Sequence, residues 1–144
     1  MVQEVQIVID KPPNFEEIDK KFNIASKGVI FAYGNKIYNP ENIVISPELI
    51  THELTHGHRQ GASPDKWWKL YLTIPMFRLE EEFYAHHSEL IAFKVNHKDR
   101  NEHARYLHSV ALRLSSPLYG NLISYLDAVR SLKYGRIVGL SGSS

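Results

Sequence analysis

Cysteine is absent from the chain, which excludes disulfides and thiolate metal sites together. Any metal must therefore be held by imidazole and carboxylate. A dominant charge is absent as well. Seventeen Lys and Arg against 16 Asp and Glu leave a formal net charge of +1, so there is no electrostatic case for nucleic acid or anionic lipid. No uninterrupted apolar run approaches the length of a bilayer span. The opening "MVQEVQIVIDKPPNF" also lacks the basic stretch and long apolar run of a secretory signal. The expectation is a cytoplasmic protein with neither a nucleic-acid nor a membrane partner. Repeats, linkers and low-complexity tracts are missing too. The 144 residues read as one domain over 1–140, with the small, polar "SGSS" of 141–144 as a disordered tail.

What is present is patterned for strands first and helices afterwards. Val2 to Ile9 is rich in Val and Ile and reads as a first strand, broken by "KPPN". Phe15, Ile18 and Phe22 recur at helical spacing, with Asn14 as N-cap. Val29 to Tyr33 and Lys36 to Tyr38 flank Gly34-Asn35 and predict a β-hairpin. "NIVIS" reads as a further strand, and Ser46-Pro47 as a cap followed by Pro at the first helical position. That helix is expected to run to about Gly57. A loop and a short helix follow, closed by Pro75. Leu79, Phe83, His86, Leu90 and Phe93 then mark one face of a long helix, and Ala104, Leu107, Ala111 and Leu114 mark the next. Ser116-Pro117 predicts a last helix through Leu118, Leu122, Tyr125 and Val129. The order favours an α+β fold: a small N-terminal sheet with one helix, then a bundle of helices.

Eight histidines stand out in this composition, and three of them fall in "ITHELTHGHRQ". His52-Glu53-Leu54-Thr55-His56 matches H-E-x-x-H. On a helix, residues four apart lie about 40° apart around the axis, so His52 and His56 can aim both imidazoles at one ion. Glu53, beside the first of them, reaches a water on that ion without occupying a ligand position, which suits a general base. The bland alternative is a solvated polar helix face. A catalytic zinc site wants a third protein ligand. "LEEEFYAHHSE" offers Glu80, Glu81, Glu82, His86 and Glu89. Acidic residues at a helix start are ordinary, but Ala85, three residues past Glu82, would let the two helices approach, which favours Glu82. His58 falls where the first helix is expected to end. Two histidines and a carboxylate also hold iron, manganese or cobalt.

"HELTHGHRQ", "LYLTIPMFRLEEEFYAHHSE" and "ALRLSSPLYGNLISYLDAVR" together resemble a family of small zinc metallopeptidases encoded by phages and prophages, over roughly residues 43 to 132. The family is similar to minimal gluzincins. The resemblance implies a zincin-like fold, Zn2+ held by His52, His56 and Glu82, Glu53 as general base, and a protein or peptide substrate in the host-cell cytoplasm. The chain departs from the pattern at His86, where a tyrosine is expected. His86 is thus either a residue that orients a ligand or a donor to the oxyanion, and Tyr84 and Arg78 are further candidate donors. The competing class is a catalytically inactive zinc-binding interaction module that keeps the peptidase-like fold, with His86 or Glu89 as a fourth ligand. Trp67, Trp68 and Tyr71 suit core packing better than a cleft, Arg78 suits a ligand-orienting or surface ion pair, and Ser115, Ser116 and Tyr119 suit a turn that borders the cleft.

Overall fold

The structure, a computed structural model, describes residues 5–139. The expected tail 141–144, and the start of the expected first strand, lie outside the described residues. Strand β1 (Gln6–Val8) is followed by helix α1 (Phe15–Phe22), then by strands β2 (Phe31–Tyr33) and β3 (Lys36–Tyr38). The sheet runs β1-β3-β2, with β1 parallel and β2 antiparallel to β3. Helices α2 (Pro47–Gln60), α3 (Pro64–Thr73), α4 (Pro75–Asn96), α5 (Arg100–Leu114) and α6 (Tyr125–Tyr134) complete an α+β fold. Among the described residues no helix is long and apolar enough to cross a membrane.

Local chemistry explains most of these boundaries. Pairing of Tyr33 with Lys36 leaves Gly34-Asn35 as a two-residue turn, with Gly34 at φ +64°. Asn35 stays at negative φ, the sign pattern of a type II′ turn. Ser46 caps α2 by accepting the Leu49 N–H, and Pro47 follows at the first position. The helix does not stop at Gly57 as expected; it continues to Gln60 and ends at Gly61. Gly57 serves another need, since a Cβ there would stand 2.8 Å from the Gly34 carbonyl oxygen. Helix α2 thus rests on the hairpin turn. Gln60 fixes the contact by accepting the Gly34 N–H and donating to the Ala32 carbonyl.

Three other expectations are overturned. "NIVIS" is not a strand: the Asn39 side chain takes both the N–H and the carbonyl of Ile43, and Val44 is 97% exposed. Local amide bonds replace the ladder that the Val and Ile content suggested. Asn14 precedes α1 without giving it a side-chain cap bond. The segment after Ser116-Pro117 makes only a single 3₁₀ turn, Pro117–Tyr119. Gly120 and Asn121 then adopt positive φ, and α6 starts afresh under a Ser124 cap.

Two apolar clusters flank the molecule. Ile18, Ile24, Phe31, Trp67, Trp68 and Tyr71 pack α1 and the hairpin against α3. Leu79, Phe83, Leu90, Val110, Leu114 and Leu132 are among the residues that join α4, α5 and α6. Between the clusters, α2 and the remaining face of α4 meet through polar side chains.

Candidate metal centre

The α2–α4 interface is close because Ala85, fully buried, presents only a methyl group there. Three turns of α2 and α4 bring His52, His56 and Glu82 together, each under 6% exposed. His56 Nε2 lies 3.0 Å from Glu82 Oε2, and His52 Nε2 lies 3.3 Å from Glu82 Oε1. One nitrogen or oxygen from each residue falls within 4.8 Å of the others, a set that can hold a metal ion. All three line a cavity of about 210 Å³. Glu53, 7% exposed, lines it beside them, with Oε2 3.8 Å from His52 Nε2.

The neighbouring glutamates are separated by what they touch. Glu80 is half exposed. Glu81 is buried but committed, accepting two-pronged bonds from Arg59 and one from Trp67 Nε1. Glu82 Oε2 accepts the Tyr71 hydroxyl at 2.6 Å, whereas Oε1 is buried with no hydrogen-bond partner. Glu89, wholly buried, sits behind the site and does not line the cavity. It accepts from His52 Nδ1 at 3.0 Å, from the Tyr106 hydroxyl at 2.5 Å and from both terminal nitrogens of Arg113. A carboxylate on Nδ1 fixes the ring and leaves Nε2 aimed at the cavity side, the arrangement that orients metal-binding histidines.

A second set of His52, His86 and Glu89 also meets the distance condition for a metal. It requires His52 to use Nδ1, and it requires a Glu89 already saturated by Tyr106 and Arg113. The set facing the cavity is therefore the better site, and Glu89 is its support.

The charge balance fits a cation. Burial works against a charged His52, yet Glu82 and Glu89 outweigh it and push its pKa up to about 10. Burial likewise opposes a charged Glu82, but His56 and His52 hold it well below the usual carboxylate range. The protein alone thus places a proton between His52 and Glu82, where a metal would supply the positive charge instead. The unpartnered Glu82 Oε1 and a carboxylate-oriented imidazole are the donor chemistry such an ion needs. Burial raises Glu53, although His52 and His56 pull it the other way. A raised carboxylate pKa moves Glu53 toward the range of a working general base.

His86 is 1% exposed, and burial together with His52 pushes its pKa down to about 4, so its imidazole is neutral. Its Nε2 lies 3.5 Å from Glu82 Oε1 and 3.4 Å from the Tyr119 hydroxyl. Both residues line the cavity. Tyr119 is legible in the sequence only as a residue bordering the cleft; nothing local marks it as a neighbour of His86. Tyr84 is not at the site: it is 39% exposed, under the Arg59 guanidinium. Arg78 forms neither expected pair. It is buried over the rings of Phe22 and Tyr71, with Nε and Nη1 unpartnered. His58 points outward from α2. Trp67, Trp68 and Tyr71 are core residues that also wall the cavity.

No family model matches the chain, and searches of curated proteins and of solved structures returned no match either.

Proposed function

We propose that the protein is a zinc-dependent metallopeptidase, with His52, His56 and Glu82 as metal ligands and Glu53 as general base. The observation that carries this reading is the convergence of all four side chains on one cavity wall, with Glu53 adjacent to the ligand set rather than within it. Zinc, when bound, supplies a Lewis acid that polarises a carbonyl and brings the pKa of water to about 7. The remaining steps belong to the chain. Glu53 takes a proton from the attacking water at its carboxylate and returns it to the leaving amine. His86 and Tyr119, side by side on the cavity wall, can offer N–H and O–H to the substrate carbonyl oxygen as charge grows there. Glu89 keeps the His52 ring in the one tautomer that frees Nε2.

The resemblance to small phage-encoded zinc metallopeptidases supports the same reading and adds a host-cell protein or peptide as substrate. The alternative, an inactive zinc-binding interaction module, needs a fourth protein ligand. Glu89 is tied up by Tyr106 and Arg113, which argues against it in that role, and leaves His86, with Nε2 3.5 Å from Glu82 Oε1, as the fourth ligand that reading would use.

Glu53→Gln separates binding from chemistry. With zinc restored, the variant is expected to hold the metal as the wild type does while peptide hydrolysis falls at least about 100-fold. Turnover at the wild-type rate in Glu53→Gln, measured by mass spectrometry of peptide products, would remove Glu53 as the base.

A further inference from the structure

The cavity at the metal ligands extends away from them into an apolar box. Its apolar lining includes Phe22, Ile24, Val29, Phe31 and Trp68, with the Tyr71 ring joining it to the ligand Glu82. No carboxylate, amine or guanidinium stands among those residues. The one arginine lining the cavity, Arg113, is engaged by Glu89. The volume, about 210 Å³, falls below the roughly 300–1,000 Å³ of pockets that enclose whole ligands. It matches a single large side chain, not a complete small molecule.

A second cavity of about 240 Å³ lies on the hairpin side of α2, walled by Gly34, Asn35, Lys36, Gly57 and His58. Val5, Ile37 and Leu54 line it as well, so its character is mixed. Glu53 is the residue that lines both cavities. Glu53 thus stands between an apolar box and a recess of mixed character.

We infer that the site selects peptides with a bulky apolar side chain, aromatic or large aliphatic, next to the bond that is cut, seated in the box formed by Phe22, Ile24, Val29, Phe31, Trp68 and Tyr71. The inference rests on the peptidase reading for the word "cut"; the box itself does not. A charged side chain would lose its hydration there; the buried guanidinium of Arg78 lies over the Phe22 and Tyr71 rings and does not line the cavity. An alanine would leave the aromatic walls unfilled.

The test uses alanine heptapeptides blocked at both ends, with the central residue Phe, Leu, Ala or Glu. Binding is read on zinc-loaded Glu53→Gln by tryptophan fluorescence, because both tryptophans of the chain, Trp67 and Trp68, line the cavity. Cleavage is read on the zinc-loaded wild type by product mass. The Phe and Leu peptides should saturate the fluorescence change at concentrations at least about 10-fold lower than Ala or Glu. They should also be cut beside the central residue with kcat/KM on the order of 100-fold higher, within the range that even a single methylene reaches in an apolar pocket. Val29→Phe, at a partly buried wall position, should narrow the box and lower the Phe-to-Ala binding ratio at least about 10-fold.

Preferential binding of Phe and Leu without any cleavage would keep the apolar box and overturn the peptidase reading. Cleavage of all four peptides at similar rates would keep the peptidase and overturn the box. Equal binding of all four, or none, would also overturn it.

Discussion

Helix α4 buries two faces of opposite character. One carries Leu79, Phe83 and Leu90 into the cluster with α5 and α6, where burial of each side chain contributes about 1.5–3 kcal/mol without any directional demand. The other carries Glu82, His86 and Glu89 into contact with α2, where each ionisable group costs free energy unless it is matched. The first face would be stable in many sequences. The second holds only because every charge is answered: Glu89 by His52, Arg113 and Tyr106, and Glu82 by Tyr71 and the two motif histidines. Even so, Glu82 Oε1, His86 Nδ1 and His56 Nδ1 remain buried and unpartnered. A folding core leaves few such atoms. Asn14 and Arg78 carry the other such atoms among the described residues, but these three meet at the α2–α4 interface, the face of α4 to which we assign the ligand.

The sharpest separation of the two faces comes from adjacent residues. Leu90→Ala, at a side chain 2% exposed, should cost about 3–5 kcal/mol in urea unfolding yet leave zinc affinity unchanged. Should zinc affinity fall with it, the two faces are not independent. Glu89→Ala removes the acceptor for His52, Tyr106 and Arg113. Arg113 is more than a third exposed and recovers water, so the expected cost is at the lower end for a broken buried pair, about 3 kcal/mol. Here zinc affinity should drop by about 10- to 100-fold, the usual penalty for losing a carboxylate that orients a histidine ligand. An unchanged zinc affinity would deny Glu89 its supporting role. The smallest effect is on the wild type itself. Free zinc at 100 times its dissociation constant should stabilise it by about 2.7 kcal/mol, seen as a rise in the thermal midpoint that Glu82→Ala abolishes.

The legible parts of the molecule were those specified within a few residues. The Gly34-Asn35 turn, the Ser46-Pro47 start of α2 and the pairing of His52 with His56 all follow from spacings of two to four. Glu82 was reachable as well, because Ala85 marks where two helices can come close. Assignments that depended on distant partners were harder. Glu89 stood as one of several acidic residues until Arg113 and Tyr106, on another helix, were seen to converge on it. Tyr119 comes to His86 from a 3₁₀ turn 33 residues away. "NIVIS" has strand composition but no ladder partner, and the side chain of Asn39 decided its conformation. Periodicity reports which face is buried; it does not say which charges will meet there.

Metal content bears most directly on the claim that His52, His56 and Glu82 form one centre. Purified wild type and Glu82→Ala, each incubated with zinc and freed of excess, would be compared by inductively coupled plasma mass spectrometry. About one zinc per wild-type chain, lost or weakened in Glu82→Ala, is the expected result. No zinc in the wild type, or full occupancy in Glu82→Ala, would contradict it.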